Sequence, residues 1–341
     1  MPRFSEAGSF ESFINTNCRL ADTDTTAEKI LLAQRSSGGW PKQIYEKPFD
    51  YSYAWNDEFI KAVKSGVNFT DATIDNHATS REIRQLLKVY AETKNGKYLE
   101  AAEAGIRYLL KMQYANGGFP QFFPDTSGYR KHITYNDDAM LNALRVLRDL
   151  SNNTVGFEAI DPSLKEPSTA AVEKGINCIL KTQIRANGKL TVWCAQHDHN
   201  TYLPAKARAY ELPSFSGSES VGIIRFLMEI PTPSMEVKSA IQAGVNWLAA
   251  AEISGVAIQK IMDASQAKGR DVVVVSDPKG KLWARFYDLH TGKPFFCGRD
   301  GVKRANLSEI ENERRIGYAY YGVWPEKLIA SEFPKWLLKN K

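Results

Sequence analysis

The chain has 341 residues, of which 43% are hydrophobic, and its 44 basic and 39 acidic side chains give a formal net charge of +5. This apolar content is enough for a core, while no run of about 18 apolar residues indicates a helix that spans a membrane. Without a basic tail, zinc-finger spacing or an RNA-binding signature, nucleic acid is not an expected partner either.

The first residues and the cysteines exclude two further classes. Residues 1–6 lack the apolar stretch of a secretory signal peptide, so we expect none in this chain. The four cysteines are widely spaced and form no C-x-x-C pair, which argues against a metal cluster or a disulfide scaffold. We expect these residues to be buried small hydrophobes: Cys18, Cys178, Cys194 and Cys297.

A turn with the pattern Q-x-x-x-G-G-aromatic-Pro occurs at residues 34–41 and again at residues 113–120. A weaker copy at residues 183–188 ends another apolar run. Glycine in such a turn ends a helix by taking the left-handed conformation, and proline prevents the helix from restarting. A turn that recurs in this way indicates that the chain repeats one structural unit.

The helix before the turn repeats as well. Its glycines Gly105, Gly175 and Gly244 lie 70 and 69 residues apart (105 to 175, 175 to 244), a period that fits a helix pair with its loops. Apolar residues at i, i+3, i+4 and i+7 predict the second helix of each pair. These amphipathic segments are residues 80–93, 139–150 and 221–230.

Repeated helix pairs can stack as an open solenoid or close into a toroid of inner and outer helices. Long polar loops at equivalent ends of the pairs favour the toroid, with the loops on one functional face. We therefore predict an all-α fold, an incomplete (α/α) toroid that forms a single domain over residues 1–341. Its repeat units are predicted at roughly residues 27–95, 96–165, 166–235 and 236–330.

A local strand signal interrupts the helical pattern near the C-terminus. Residues 271–275 and 282–287 are rich in β-branched and aromatic side chains, and they flank the turn-forming sequence Asp-Pro-Lys-Gly at residues 277–280. This arrangement predicts a minor β-hairpin with its turn at those four residues.

Two polar triplets precede helices at equivalent positions, Asp-Asn-His at residues 75–77 and Asn-Asp-Asp at residues 136–138. Asp and Asn before a helix are ordinarily N-caps, and the positive helix N-terminus opposes a cation unless carboxylates outweigh it. The same oxygen-rich side chains are the hard ligands that calcium prefers. Both interpretations stay open at this point.

The segment Gln-His-Asp-His-Asn at residues 196–200 has histidines at i and i+2. Without a third, distant histidine motif this is a poor zinc signature. We interpret the segment as a polar loop, with a metal site as the less favoured alternative.

The C-terminal part of the chain is locally basic. Five cations lie within 20 residues, and such clustering indicates a cleft for an anionic ligand. They are Arg285, Lys293, Arg299, Lys303 and Arg304.

Six segments resemble, in order, the pectate lyases of polysaccharide lyase family 10. The resemblance runs from about residue 34 to residue 324, nearly the whole chain, and six motifs in one order are specific although each alone is modest. They are TIDNHAT at 73–79, GGFPQ at 117–121, YNDDAM at 135–140, TVWCAQHD at 191–198, ARAYELPS at 207–214 and FCGRDG at 296–301.

The resemblance implies a mostly α-helical incomplete toroid and a calcium-dependent enzyme. Its reaction would be cleavage of polygalacturonate, an α-1,4-linked galacturonic acid polymer, by β-elimination to 4,5-unsaturated oligogalacturonates. By motif, Arg208 would be the base that abstracts the proton, and Asp137 and Asp75 would ligate the calcium ion. The substrate-binding residues would be Asp75, Asn76, Arg299 and, on a looser motif, Arg285.

An arginine base needs an unusual pKa. The reference pKa of about 12.5–13.8 leaves almost no neutral arginine at pH 7. Nearby calcium and other arginines should lower the pKa of Arg208, because like charges disfavour the charged form. We therefore expect a strongly alkaline optimum. The alternative role for Arg208 is an ion pair with Glu211, three residues further on.

The resemblance also implies secretion or a periplasmic location, although the sequence shows no signal peptide. We expect a monomer whose partner is the anionic polysaccharide, with no nucleic acid or membrane. Two alternatives remain, a helical-toroid glycoside hydrolase using carboxylates such as Asp75 and Asp137, and a non-catalytic binder of acidic polysaccharide. A terpene cyclase with the same turn is disfavoured, because its D-x-D-D and D-D-x-x-D motifs are missing.

Overall fold

The computed structural model describes residues 24–340, and its regular structure is mainly helical. Within that range, no helix is long and apolar enough to cross a membrane. The ten α-helices of the described residues are α1 Thr25–Ala33, α2 Asp57–Ser65, α3 Ser80–Thr93, α4 Gly96–Met112, α5 Ala139–Ser151, α6 Lys165–Thr182, α7 Glu219–Met228, α8 Met235–Ala250, α9 Asn312–Gly317 and α10 Phe333–Lys339.

The strands are short except for two, which pair with each other. The thirteen strands of the described residues are β1 Gln43–Ile44, β2 Lys47–Pro48, β3 Ile133–Thr134, β4 Arg185–Ala186, β5 Lys189–Leu190, β6 Gln196–His197, β7 Phe215–Ser216, β8 Ile253–Met262, β9 Arg270–Ala284, β10 Phe286–Tyr287, β11 Phe296–Cys297, β12 Lys303–Arg304 and β13 Tyr321–Gly322. The helix-rich fold agrees with the sequence, while its closure into a toroid stays a prediction.

The described chain divides into two compact units, each built from three segments. The first consists of residues 24–112, 122–125 and 142–172, and the second of residues 113–121, 126–141 and 173–340. The single domain and its four repeat boundaries stay predictions. Both units show the repeat in their local structure.

The glutamine that opens each predicted turn closes it with its side chain. Gln34 Nε2 donates to the carbonyl oxygen of Gly38 at 2.8 Å, and Gln113 Nε2 donates to that of Gly117 at 3.0 Å. Gln183, which opens the weaker copy, donates instead to a carbonyl eight residues further on. The recurring turn is therefore confirmed as a structural unit.

Three buried tryptophans each anchor a strand-like segment to the helix before it. The indole N–H groups of Trp40, Trp193 and Trp283 each donate at 2.7 Å to a carbonyl of the preceding helix, in α1, α6 and α8 respectively. The backbone N–H groups of the first two donate to hydroxyls, at 3.0 Å for Thr79 and 3.1 Å for Ser220. A buried indole that finds its acceptor fixes the strand-like segment against the helix.

A glycine in the second turn lies against α6. Gly117 has φ +90°, and a Cβ added there would lie 2.0 Å from the carbonyl oxygen of Lys174 in α6. Gly156 has nearly the same φ, +95°, but nothing lies within 4 Å of a Cβ added there.

These two glycines allow the backbone cost and the clash to be separated. We expect Gly156→Ala to lower the free energy of unfolding by about 1 kcal/mol, the cost of a left-handed alanine. Gly117→Ala should lower it by about 2–3 kcal/mol more, because α6 must move away. Urea unfolding measures both values, and equal losses would show that the turn does not pack on α6.

The β-hairpin exists, but the predicted turn was wrong. Residues 271–275 and 282–284 belong to one strand, β9, which pairs antiparallel with β8 across a connection at residues 263–269. Residues 277–280 form a bulge, since the register moves from Ser254–Lys281 to Val256–Ser276. The turn-forming residues lie in this bulge. The sequence did not predict β8, because its polar and apolar residues do not alternate clearly.

The cysteine prediction is confirmed where the structure describes it. Cys178, Cys194 and Cys297 are free and buried, and burial raises the pKa of each thiol. Cys18 lies outside the described residues.

Short strand pairs position the second polar triplet. β3 pairs antiparallel with β6, and the carbonyl oxygen of Ala195 accepts the N–H groups of Tyr135 at 2.9 Å and Asn136 at 3.1 Å. β10 pairs with β7, just before α7. The loops that carry the predicted functional residues of the second unit are therefore held by backbone hydrogen bonds.

Candidate active site

The two polar triplets share an unusual backbone. Each is a 3-10 turn with a left-handed middle residue, Asn76 at φ +50° and ψ +41° and Asp137 at φ +52° and ψ +33°. The third residues, His77 and Asp138, also have positive φ, +64° and +58°. Asn, Asp and His tolerate this conformation best, and such strain concentrates at functional sites. The predicted equivalence of the two loops is confirmed.

Asp75, in the first unit, is not a helix cap. Its Oδ2 lies 2.5 Å from Lys42 Nζ, and the N-cap of α3 is Thr79, which makes no capping side-chain bond. Its Oδ1 is buried and has no hydrogen-bond partner among the described residues. A buried carboxylate oxygen without a donor is costly. This atom therefore fits a cation or a donor group of a ligand.

A basic groove of about 500 Å³ begins beside the first triplet, within the same unit. Its cations lie on α3 and α5, where sequence patterns show only an exposed helix face, so sequence reasoning missed them. Clustered cations suit an anionic ligand. The lining residues are His77, Ser80, Arg81, Arg84, Gln85, Lys88, Asn142 and Arg145.

In the second unit, the two adjacent carboxylates of the triplet differ in environment. Asp138 lies against α7, where a Cβ added at Gly222 would be 1.9 Å from its Oδ1. Asp137 is exposed, and its Oδ2 accepts a hydrogen bond from Asn136 Nδ2 at 2.8 Å. Of this pair, Asp137 presents its carboxylate outward.

Arg208 forms the predicted alternative contact, a bidentate ion pair with Glu211. Nε lies 2.7 Å from Oε2, and Nη2 lies 2.5 Å from Oε1. Burial lowers the pKa of Arg208, but the hydrogen bonds and charge of Glu211 outweigh it and raise the pKa above its ordinary value. The expectation of a lowered pKa was therefore wrong for the chain by itself, because Glu211, and not another cation, is the nearest charge.

Tyr318 joins two of the predicted arginines. Its ring centroid lies 5.7 Å from the guanidinium carbon of Arg208 and 4.8 Å from that of Arg285. Its hydroxyl donates to Glu211 Oε1 at 3.0 Å. Burial raises the pKa of Tyr318 well above its usual range, so the phenol stays protonated. Arg208 and Arg285 thus face one phenol ring.

Arg285 is held nearly buried at the same place. Its Nη1 lies 2.8 Å from Glu219 Oε1, and its Nε donates to the carbonyl oxygen of Ala319 at 3.0 Å. Burial lowers the pKa of Arg285, but the charge of Glu219, the hydroxyl of Tyr318 and the charge of Asp137 raise it above its ordinary value. Asp137 therefore acts electrostatically on the arginine that shares Tyr318 with Arg208.

Arg299 lies at the outer end of the same arrangement. Its side chain is 62% exposed and pairs with Glu313 at 3.0 Å. Glu313 also binds Arg314, whose guanidinium carbon lies 4.8 Å from the ring centroid of Tyr210, and Arg208 lies 4.9 Å from that ring. We call the surface formed by Arg208, Arg285, Arg299, Arg314, Tyr210 and Tyr318 the arginine face.

Sequence reasoning missed three members of this region. Glu219 follows the polar loop 214–218, which precedes a helix as the two triplets do. The sequence therefore indicates where Glu219 lies, but not that it pairs with Arg285. Arg314 lies in α9 and Tyr318 directly follows it, in a segment rich in charged residues. The sequence there is typical of an exposed helix and gives no sign of a functional site.

The segment at residues 196–200 contains one structural histidine. His197 is fully buried, its Nε2 accepts the N–H of Cys194 at 3.0 Å, and its Nδ1 lies 2.8 Å from the carbonyl oxygen of Tyr202. Burial lowers its pKa to about 4, so this imidazole is neutral. His197 therefore holds the polar loop together.

Comparison with solved structures gives the class of protein. A family 10 polysaccharide lyase from Cellvibrio cellulosa is 36% identical, with a TM-score of 0.79 over 97% of each chain. A point mutant of a family 10 polysaccharide lyase from the same organism, in complex with trigalacturonic acid, is 37% identical, with a TM-score of 0.79 over 95% of each chain. The chain is thus similar throughout to polysaccharide lyases.

The family follows from the sequence. The family model described as pectic acid lyase matches residues 34–329. The chain belongs to this family and is a pectate lyase enzyme, as its resemblance to family 10 predicted. A search of curated proteins gave no match.

Proposed function

We propose that this enzyme cleaves polygalacturonate by calcium-dependent β-elimination, with Arg208 as the base. The observation that carries the proposal is the arginine face, in which Arg208 and Arg285 share Tyr318. The trigalacturonic acid in the similar lyase supports an oligogalacturonate as ligand.

The reaction explains why cations gather there. A base removes the proton from the carbon next to the uronate carboxylate, and the electron pair forms the C4–C5 double bond as the C4–O glycosidic bond breaks. The departing oxygen keeps its bonding electrons and takes up a proton from solvent. Negative charge grows beside a group that is already anionic, so the carboxylate must be neutralised in the transition state. Guanidinium groups do this with paired hydrogen bonds, and we assign that role to Arg285 and Arg299.

Calcium would supply Lewis-acid neutralisation of the same carboxylate when bound. Asp137 offers it an exposed hard oxygen, the ligand type that calcium prefers. Asp75 fits a cation through its unpartnered Oδ1, and its role as a second calcium ligand stays a prediction, as does substrate binding by Asn76. Asn136 holds the Asp137 carboxylate through its amide.

One nitrogen of Arg208 suits proton removal. Nε and Nη2 are engaged by Glu211, while Nη1 makes no hydrogen bond to the described residues and the side chain is 43% exposed. We assign Nη1 as the atom that takes the proton from substrate. It must first be neutral, so the rate should rise with pH, and the raised pKa of Arg208 makes the optimum strongly alkaline.

The ion pair with Glu211 provides a test of this assignment. Glu211→Gln keeps an acceptor for Arg208 but removes the charge that raises its pKa, so the neutral fraction at a given pH increases. We expect the rising limb of the kcat–pH profile to move to lower pH by about 1 unit or more. Glu313→Gln is the matched control, because it removes the carboxylate that pairs with the exposed Arg299. It should leave the rising limb of the kcat–pH profile in place. An unmoved limb in Glu211→Gln would argue that Arg208 is not the base.

The basic groove of the first unit supports a polymeric anion as substrate. Four Arg and Lys side chains line it next to the triplet 75–77, of which Arg81 and Arg84 also pair with Glu82 and Asp149. Phosphate-like or uronate chains bind such surfaces through charge. We also propose that the enzyme is a monomer acting outside the cytoplasm, where this polysaccharide is found.

Product mass tests the proposed reaction against the two alternatives. Elimination yields an unsaturated oligogalacturonate that is lighter by one water than the corresponding hydrolysis product. From trigalacturonate and calcium we expect each cleavage to give one unsaturated fragment and one saturated fragment. Saturated fragments without any unsaturated one would identify a glycoside hydrolase with two carboxylates, and unchanged substrate at all pH values would identify a binding protein.

A further inference from the structure

Three side chains with metal-ligating atoms converge outside the arginine face. One ligand atom each of His132, Asp198 and His199 lies within 4.8 Å of the other two. His132 immediately precedes β3, and the other two immediately follow β6. The antiparallel pairing of β3 with β6 brings the three residues together.

The Asp198 carboxylate is fixed with one oxygen committed to its loop. Oδ1 accepts the N–H groups of Asn200 at 3.0 Å and Thr201 at 2.9 Å. Oδ2 faces His132 Nδ1 at 4.0 Å. That separation is too long for a hydrogen bond. Two tetrahedral ligands with metal distances of about 2.0–2.2 Å lie roughly 3.4 Å apart, so these two atoms need to approach by about 0.6 Å to share an ion.

Two imidazole nitrogens at this place are buried and unsatisfied. The Nδ1 atoms of His132 and His199 have no hydrogen-bond partner among the described residues. The backbone of His199 is held by Asn116, whose Nδ2 donates to its carbonyl oxygen at 2.6 Å, and its ring packs at 5.2 Å on Tyr114. Buried polar atoms without partners need an explanation, and a bound ion supplies one.

The chain contains a second copy of this loop that serves as an internal comparison. Asp288 Oδ1 accepts the N–H groups of His290 and Thr291, each at 3.0 Å, as Asp198 Oδ1 does for Asn200 and Thr201. The Oδ2 of Asp288 lies 2.5 Å from Lys303 Nζ. In that copy a lysine neutralises the free oxygen, whereas in the first copy the free oxygen faces His132 instead.

We propose that His132, Asp198 and His199 bind a divalent transition metal, with Zn²⁺ the best match. Two imidazoles and a carboxylate form a borderline-soft ligand set that suits Zn²⁺ and leaves a fourth tetrahedral position for water. Calcium prefers oxygen ligands, so this site is separate from the proposed calcium chemistry. The ion would join β3, which leads into the triplet 136–138, to the loop after β6.

Titration of the full-length, untagged chain with Zn²⁺ tests the proposal. Excess Ca²⁺ is kept present so that oxygen-only sites are occupied. We expect one bound Zn²⁺ per chain and a Tm higher by roughly 4 °C at a free concentration about 100 times the Kd. Co²⁺ at the same site should show the visible bands of a tetrahedral complex.

Variants locate the ion. His199→Ala and Asp198→Asn should weaken Zn²⁺ binding by more than about 10-fold, and the asparagine keeps the oxygen that the loop uses. The matched control His290→Ala, which removes an exposed histidine from the second copy, should bind as wild type does. Tm values in chelator show that each variant is folded.

Two results would overturn the proposal. One is the absence of saturable Zn²⁺ binding by the wild type, and the other is unchanged affinity in both variants. If a variant does not fold, the Co²⁺ spectrum of the wild type tests the ligand set instead. Octahedral bands, or the charge-transfer bands of a cysteine thiolate, would contradict a site of two imidazoles and a carboxylate.

Discussion

Arg208→Ala should lower kcat on polygalacturonate by about 10³-fold or more, the upper range for loss of a general base. KM should change little, because Arg285 and Arg299, the proposed partners of the substrate carboxylate, are unchanged in this variant. Arg208→Lys should be nearly as poor, since a lysine cannot keep the bidentate contact with Glu211 that positions the guanidinium. Initial rates at saturating calcium and alkaline pH measure all of these.

Two comparisons make that result specific to Arg208. Lys206→Ala, which removes an exposed cation two residues away, should keep wild-type kcat. Arg299→Ala should raise KM and lower kcat together, as expected for a group that binds the carboxylate in both ground and transition states. An Arg208→Ala variant that retained its rate would rule out the arginine base.

Removal of calcium should abolish activity, and calcium should restore it. In Asp137→Ala we expect the calcium concentration for half-maximal rate to rise by about 10-fold or more, because a hard-oxygen ligand is lost. Asp138→Asn is the matched control, since Asp138 packs against Gly222 and shares the positive-φ backbone of its neighbour. Rates as a function of free calcium measure the effect.

The calcium prediction has a clear contradictory outcome. Restoration by Zn²⁺ and not by Ca²⁺ would show that the ion needed for turnover prefers nitrogen ligands. An Asp137→Ala variant with an unchanged calcium requirement would place the ion elsewhere. Since zinc would occupy a separate site on His132 and His199, the two ions should be titrated independently.

The repeat and the helices could be predicted because their signals are local. Residues 80–93, 139–150 and 221–230 were predicted as helices, and the structure has Ser80–Thr93, Ala139–Ser151 and Glu219–Met228. Apolar spacing and glycine turns act within one or two turns of the chain. The side-chain contact of Gln34 with Gly38 is equally local.

The contacts of the arginine face could not be predicted in the same way. Tyr318 and Glu211, whose side chains meet, are 107 residues apart, so no spacing rule connects them. The pKa of Arg208 depends on Glu211 and not on the cations expected nearby. The turn of the hairpin was predicted wrongly for the opposite reason. A strong local turn signal at residues 277–280 belongs to a bulge, which is visible only once β9 pairs with β8.

The residues to which the resemblance assigns roles lie in both units. Arg208, Arg285 and Arg299 lie along one arginine face of the second unit, and Asp137 acts on Arg285 there. Asp75 has a strained loop and an unpartnered oxygen in the first unit. The roles proposed for these residues follow from the family resemblance. Each role can be tested through a contacting residue, such as Glu211 for Arg208 and Lys42 for Asp75.

The most direct test is ultraviolet absorbance during digestion of polygalacturonate, because the C4–C5 double bond conjugated to the carboxylate absorbs and a hydrolysis product does not. Wild type and Arg208→Ala are each assayed with calcium and with chelator. We predict a rise in absorbance for the wild type with calcium alone. Chain cleavage without absorbance, or an equal rise for Arg208→Ala, would contradict proton removal by this arginine next to a neutralised carboxylate.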